Sequence, residues 1–219
     1  MNERNNCFLD CLDTILVINK MARENLGEDS FFCAKKKNSA VVGVFDGCGG
    51  LGARRYESFD GHTGAFIASR AVSGADALEN LTCDGAMNNV LSSDGNYRIN
   101  YKTILLTKPA LIFAATDGCF GYVSSPMEFE YILVKALVEN TTPERFKENL
   151  QKELEEYAGD DLTMGIMSFF YGDYITTRKY FENRLQFLEK NYISIMEKEE
   201  NCIQNLWEKY KISYERYLR

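Results

Sequence analysis

Acidic side chains recur at the ends of apolar segments that have the character of strands. They lie in four places along the chain, at Glu28-Asp29, Asp46, Asp117 and Asp160-Asp161. Strands of one sheet that end in carboxylates can bring them together at one rim, where they repel one another until a divalent cation relieves the repulsion. Because such ligands offer only oxygen, Mg²⁺ or Mn²⁺ is preferred over Zn²⁺. The four sites in this order favour a carboxylate metal centre over a set of ordinary Asp-Gly turns.

The glycine-rich loop at 46–52 allows three interpretations. Its glycines match the GxGxxG spacing of dinucleotide-binding loops, but Asp46 would repel a pyrophosphate and no second strand ends in an acid about 20 residues later. Cys48 and Arg54 have the C-x5-R spacing of thiolate phosphatases, yet a nearby carboxylate raises a thiol pKa and so disfavours the nucleophile. The third interpretation, an Asp-Gly loop at a metal site, agrees best with the rest of the chain.

The composition narrows the chemistry further. The 219 residues include a single histidine, His62, so a centre with several histidines cannot be built. Seven scattered cysteines without a CxxC pair argue against a zinc cage and a disulfide framework, and a reducing cytoplasm is the expected location. Any catalysis must therefore depend on carboxylates, cysteines or glycine loops.

Charge and hydropathy exclude two classes of partner. A net charge of -7 argues against a general nucleic-acid binder. No apolar run reaches the roughly 18 residues of a membrane span, and the start lacks a basic-then-apolar leader. With 45% hydrophobic and 26% charged residues, the chain is expected to be globular, with neither a membrane nor a nucleic acid among its partners.

The elements that would position these residues follow from periodicity and turn signals. Pro126 opens one helical pattern, while Thr142 with Pro143 begins a second. Apolar runs predict strands, of which the run at 40–45 is continuous and therefore buried. Two of the predicted strands lie within 30–46, on either side of a turn at 35–38, and the others at 98–107, 110–116 and 164–171. The predicted helices lie at 63–72, 126–139 and 143–157.

The C-terminal part has a different character. From 176 to 219 there is neither Gly nor Pro, and apolar residues recur at steps of three and four. The pattern predicts one long amphipathic helix, about 65 Å if unbroken, with a slip in the repeat near Glu199. Its aromatic stripe needs the domain itself, a second copy or a partner protein to bury against. The predicted division is a domain over 1–172 and a helix over 173–219.

Four motifs in order resemble those of the type 2C metal-dependent Ser/Thr protein phosphatases. They are Glu28-Asp29-Ser30, the segment 44–50 with its Asp46-Gly47 pair, 115–118 and 160–163. The chain is similar to bacterial members of that family. The resemblance implies an α+β fold, an α-β-β-α sandwich, with a site for two Mg²⁺ or Mn²⁺ ions at one edge.

The resemblance also implies roles for individual residues. Asp46 would bridge both ions, the Gly47 carbonyl would ligate one, and Glu28 or Asp29 would complete the set together with Asp117 and Asp160. A metal-bridged water would attack phosphorus in line, without a covalent enzyme intermediate. Family members carry a phosphate-binding Arg four residues before the Glu of the first motif. Here Glu24 has that spacing and Arg23 lies one residue away, so Arg23 is the candidate.

The central region is shorter than the family pattern. Only 71 positions separate Asp46 from Asp117, and the long helices and strand pair usual between these motifs are missing. The sandwich is therefore expected to be incomplete. The leading expectation is a Mg²⁺- or Mn²⁺-dependent phosphatase acting on a phosphoprotein. The alternative is a catalytically impaired, phosphatase-like regulatory or binding module that acts through the C-terminal helix, by self-association or on a partner protein.

Overall fold

The computed structural model describes residues 12–22, 27–36, 39–47, 55–56, 62–63, 103, 105–199 and 202–215. Within this part the chain combines small antiparallel sheets with four helices. Contacts divide the chain into two compact units. The first comprises Met1–Tyr122 and Ala158–Asp173, and the second Val123–Tyr157 and Tyr174–Arg219.

The first unit contains the strands. In chain order they are β1 (Leu12–Lys20), β2 (Ser30–Lys36), β3 (Ser39–Phe45), β4 (Arg55–Tyr56), β5 (His62–Thr63), β6 (Ala110–Ala115) and β7 (Leu162–Phe169). Strand β7 is central in a three-stranded sheet of order β1-β7-β6, and both of its neighbours run antiparallel to it. Nearly every residue of β7 is buried, including the polar residues Thr163 and Ser168.

The hairpin β2–β3 packs onto this sheet. Ser30 pairs with Phe45 and Lys36 with Ser39, which confirms the predicted pair of strands at 30–46. The prediction that the run at 40–45 is buried is wrong, since its residues are half-buried and Val41 is 51% exposed. Strand β3 crosses β7 at Gly165, where a Cβ would overlap Val42 Cγ1 and lie 3.5 Å from Val42 Cβ. Glycine at 165 is therefore what allows the two layers to approach so closely.

Several other predicted elements can be compared with the structure. The strand predicted at 110–116 is confirmed as β6, and the one at 164–171 begins two residues earlier. The strand predicted at 98–107 is wrong for residues 103 and 105–107, which are not in a strand, and its other residues lie outside the described part. Most of the predicted helix at 63–72 also lies outside it, and Thr63 belongs to β5. The sequence does not predict β1.

The second unit contains the four helices α1 (Pro126–Glu139), α2 (Pro143–Glu155), α3 (Tyr174–Leu188) and α4 (Ile203–Glu215). Both predicted starts are confirmed: Ser125 Oγ accepts a hydrogen bond from the Glu128 N–H at 3.2 Å, and Thr142 Oγ1 accepts one from Arg145 N–H at 3.3 Å. Helices α1 and α2 group with the C-terminal helices, which the predicted division at residue 172 does not anticipate.

The prediction of one continuous C-terminal helix is wrong. After α3 a π-helical segment (Glu189–Ile193) and a turn of α-helix (Ser194–Met196) follow, and a non-helical segment precedes α4. The break allows the rings of Tyr192 and Tyr210 to meet edge to face, with centroids 5.6 Å apart. In a straight helix residues 18 positions apart would be about 27 Å apart.

The described part of the aromatic stripe contributes Tyr192 and Tyr210 to a core inside its own unit, whereas Ile203 is 39% exposed. This core also includes Met127 and Val134 from α1, and Leu188 and Leu206 are almost fully buried with them. Two charged side chains line this core: Arg184 donates to both carboxylate oxygens of Glu130, at 2.7 and 2.6 Å. Among the described residues, no helix is both long enough and apolar enough to span a bilayer.

Candidate metal centre

Three exposed carboxylates follow or precede strands of the first unit, at the positions that the sequence singles out. Asp46 follows β3, Asp117 begins a short 3₁₀ turn after β6, and Asp160 lies two residues before β7. The charges of Asp117, Asp29 and Asp160 all act on Asp46, which also shares a hydrogen bond with Asp117. The fold thus brings together four of the predicted ligands, although their role as ligands stays a prediction.

This crowding changes the acidity of Asp46. Although the residue is partly exposed, surrounding protein atoms desolvate its carboxylate, and the charges of Asp117, Asp29 and Asp160 repel it. Together these effects raise the pKa of Asp46 from 3.8 to about 8. The pKa of Asp160 is also raised, by desolvation first and then by the charges of Asp117, Asp161 and Glu28. A bound cation would lower both pKa values by favouring the ionised carboxylates.

The pH dependence of stability follows from these shifts. Burial raises the pKa of Asp29 to about 7, so Asp29 and Asp46 both bind protons more tightly in the folded than in the unfolded chain. The free energy of unfolding of the metal-free protein should therefore fall as pH rises from about 4 to about 8. Thermal unfolding with EDTA would measure this. Asp46→Asn removes one of the two groups, so its melting temperature should rise relative to that of the wild type as pH increases. A difference in melting temperature that does not change with pH would contradict the prediction.

Asp29 is buried, with 7% of its surface exposed, and its carboxylate is held by three donors. Thr116 Oγ1 donates to Asp29 Oδ2 at 2.6 Å, and the Thr163 hydroxyl and the Gly47 N–H donate to the same carboxylate. The Gly47 bond fixes the peptide that joins Asp46 to Gly47. Asp29 is therefore placed to support Asp46, whereas Glu28 is partly exposed and its charge acts on Asp160.

Thr116 and Thr163 connect the two strands beside the site. The Thr163 N–H donates to Thr116 Oγ1 at 3.0 Å, and the Thr116 N–H donates to the Thr163 carbonyl at 2.9 Å. Asn19 from β1 donates to Thr163 Oγ1 at 2.8 Å, which leaves the Thr163 hydrogen for Asp29. Because both hydroxyls are buried and each serves as donor and acceptor, the network fixes Asp29 relative to three strands.

Replacing Thr116 by Val tests this network. The substitution keeps the shape of the side chain but leaves Asp29 without its 2.6 Å donor and Thr163 N–H without an acceptor. We expect the free energy of unfolding to fall by about 1–3 kcal/mol. Urea unfolding would measure the loss. Thr116→Ser, which keeps the hydroxyl, should recover most of it, and equal losses in the two variants would count against the network.

Asp161 fastens the segment between β1 and β2 to the site. Its Oδ1 accepts from the Ala22 N–H at 2.7 Å, and its Oδ2 accepts from the N–H groups of Glu28 and Asp29 at 2.5 and 3.4 Å. Both ends of the segment 22–29 are thus bound to one buried carboxylate. Glu28 and Asp29 are held at the rim by this contact.

The glycines of the pairs Asp46-Gly47 and Asp117-Gly118 allow other backbone segments to approach closely. A Cβ at Gly47 would lie 2.7 Å from the Glu28 carbonyl carbon, and one at Gly118 would lie 2.8 Å from that of Asp161. These glycines therefore bring the acidic segments close to one another.

The other candidate residues either lie outside the described part of the chain or are unreactive. Arg23, Cys48 and Arg54 are among the residues that the structure does not describe. Cys119 is buried and donates through Sγ to the Thr163 carbonyl at 3.4 Å. Desolvation and then the charge of Asp29 raise its pKa to about 12, so its thiol stays protonated.

The donor set fits a hard cation, although its present arrangement is not that of a finished site. Within the described residues, no group of three or more His, Cys, Asp or Glu side chains is placed to hold a metal ion. Asp46, Asp117 and Asp160 nevertheless offer only oxygen donors and repel one another, which suits Mg²⁺ or Mn²⁺.

Comparison with known proteins gives no matching family model, no similar curated protein and no similar solved structure. The resemblance to type 2C phosphatases therefore rests on the sequence motifs alone.

Proposed function

We propose that the chain is a metal-dependent phosphatase that hydrolyses the phosphomonoesters of Ser and Thr residues in phosphoproteins. One observation carries the proposal: the fold desolvates the carboxylate of Asp46 and exposes it to the charges of Asp117, Asp29 and Asp160, which raises its pKa to about 8. With every carboxylate ionised such a cluster is unfavourable, and bound protons or cations relieve the repulsion. The order of the four motifs along the sequence supports the choice of phosphatase among metal enzymes.

Each residue has a distinct part in this proposal. Asp46, Asp117 and Asp160 would hold two Mg²⁺ or Mn²⁺ ions, with Glu28 and the Gly47 carbonyl as further oxygen donors. The bound ions would supply an acidic water and neutralise the charge of the phosphate. Asp29 fixes the peptide after Asp46, and Asp161 holds the segment that begins at Ala22. Arg23, the next residue, is the proposed phosphate-binding group.

The proposal extends to the architecture. The three-stranded sheet and the β2–β3 hairpin would be the two central layers of an α-β-β-α sandwich that is shortened between Asp46 and Asp117. The close packing of β3 on β7 at Gly165 supports a two-layer arrangement. The scattered cysteines support the cytoplasm as its location, and Cys33, Cys119 and Cys202 are free thiols.

Hydrolysis assays with the full chain test the function. Wild-type protein should release phosphate from a phosphothreonine peptide and from p-nitrophenyl phosphate when Mn²⁺ is present, and EDTA should abolish the activity. Turnover that survives EDTA would contradict a metal-dependent reaction and would bring the thiolate alternative, Cys48 with Arg54, back into consideration.

A binding or regulatory module is the second candidate. It is favoured by apolar side chains of the C-terminal helices that stay in solvent, such as Ile212 (63% exposed) and Ile175 (54% exposed). Folded protein that binds Mn²⁺ but shows no turnover on either substrate would support it over the phosphatase.

A further inference from the structure

Tyr122 lies beside the carboxylate rim, and the sequence motifs give it no role. It follows the 3₁₀ turn that begins at Asp117, and half of its surface is exposed. Its ring lies over Gly159, where a Cβ would be 2.8 Å from Tyr122 Cε1 and 3.3 Å from its hydroxyl oxygen. The hydroxyl is thus placed against the residue that immediately precedes Asp160.

The charges around Tyr122 keep its hydroxyl protonated. Desolvation, followed by the charges of Asp160, Asp117 and Asp46, raises the pKa of the phenol. Within the described part of the chain, no residue forms a hydrogen bond with this hydroxyl. It is therefore an O–H donor that faces a ligand or solvent at the rim.

A neutral donor suits this position for an electrostatic reason. A phosphate dianion that approaches the carboxylates is repelled until cations are bound, and it then still needs donors for the oxygens that the cations do not contact. A Lys or Arg here would pair with Asp46 or Asp160 and compete with the cations. The phenol can donate to the phosphate without competing for the carboxylates.

We propose that Tyr122 is a substrate-contacting residue: its hydroxyl donates a hydrogen bond to a phosphoryl oxygen of the phosphomonoester, and Gly159 provides the space that holds its ring there. The proposal deepens the function proposed above and rests on it, because the ligand is the phosphoryl group of the same site. The contact is to the phosphoryl group itself, so it should be common to peptide and small-molecule phosphomonoesters.

Titration calorimetry with inorganic phosphate tests the contact without requiring turnover. The full chain is loaded with Mn²⁺, and the dissociation constant for phosphate is compared among wild type, Tyr122→Phe and Gly159→Ala. Tyr122→Phe keeps the ring and removes the donor. Gly159→Ala keeps the donor and displaces the ring. Tyr180→Phe, on an exposed residue of α3, is the matched control.

We expect Tyr122→Phe and Gly159→Ala to bind phosphate roughly 10-fold or more weakly than the wild type. The dissociation constant for Mn²⁺ should stay within about two-fold of the wild-type value, since a hydrogen bond to phosphate does not hold the cation. Tyr180→Phe should match the wild type in both. Where turnover is measurable, Tyr122→Phe should lower kcat/KM by a similar factor for both substrates.

Equal phosphate affinity in wild type and Tyr122→Phe would overturn the proposal, as would a Mn²⁺-loaded wild type that does not bind phosphate. A parallel loss of Mn²⁺ affinity in Tyr122→Phe would also overturn it, because it would indicate a structural role. Failure of the proposed function is a separate result, namely wild-type protein without Mn²⁺-dependent turnover. The affinity ratio decides the role of Tyr122 in either case.

Discussion

Asp46→Asn is expected to reduce Mn²⁺-dependent turnover of a phosphopeptide on the order of 10³-fold. Asn has the same shape but only one acceptor oxygen and no charge, so it cannot replace a carboxylate that would help to hold the ions. Asp46 is the group on which the charges of Asp117, Asp29 and Asp160 converge.

The same substitution should change the response of stability to metal. At a Mn²⁺ concentration 100 times its dissociation constant, binding stabilises a folded protein by about 2.7 kcal/mol. The wild type should show a gain of this size in thermal or urea unfolding, and Asp46→Asn should show little of it. Without metal, Asp46→Asn should be more stable than the wild type, because the variant lacks one of the carboxylates that repel one another.

Glu148→Gln provides a control for the loss of one negative charge. Glu148 lies on α2 and is exposed, so this variant should behave as the wild type in turnover and in its response to Mn²⁺. The prediction fails if Asp46→Asn retains wild-type turnover. If Asp46→Asn loses activity but gains as much stability from Mn²⁺ as the wild type, the ions bind elsewhere and the proposed ligand set is wrong.

Local signals in the sequence predicted the elements whose start is set by one or two residues. Pro126 and Pro143, each behind a hydroxyl residue, begin α1 and α2 because the cap and the first-turn proline act within a single turn. The hairpin β2–β3 was also predictable, since its two strands are adjacent in sequence and share one turn.

Elements that depend on distant partners were not predictable in this way. The apolar centre of β1 is too short to distinguish a strand from a buried helix by periodicity, and its pairing with β7, about 150 residues later, decides the outcome. The break between α3 and α4 depends in the same way on the meeting of Tyr192 with Tyr210. The slip in the repeat near Glu199 lies at the break, but neither contact itself is visible as a local pattern in the sequence.

In the candidate site, too, the residues with a local sequence pattern were predicted and those that depend on distant contacts were not. The acidic residues were found because carboxylates at strand ends form a visible pattern, and the structure brings Asp46, Asp117 and Asp160 together. The residues behind them were missed. Thr116 and Thr163 belong to the quoted motifs, but a hydroxyl has no periodic signal, and its bond to Asp29 is apparent only in three dimensions.

Gly118→Ala is expected to have the largest effect on folding. Gly118 is buried in the 3₁₀ turn, and a Cβ there would overlap the Asp161 carbonyl oxygen and lie 3.4 Å from Leu162 Cα. Both neighbours are backbone atoms at the start of the central strand β7, so no side-chain rotation can relieve the overlap. The turn after β6 and the start of β7 would have to separate, which breaks the bonds between Thr116 and Thr163.

We therefore expect Gly118→Ala to lower the free energy of unfolding by about 3 kcal/mol or more, a large part of the 5–15 kcal/mol typical of a domain. Urea unfolding measures the loss. Gly159→Ala is the matched control: the atoms nearest to its Cβ belong to the movable ring of Tyr122, so its stability should stay within about 1 kcal/mol of the wild type. If both variants unfold at the wild-type urea concentration, the close approach of Gly118 to Asp161 does not hold the site together. If only Gly118→Ala is destabilised, the glycine of this Asp-Gly pair is required for folding, independently of any metal chemistry at Asp117.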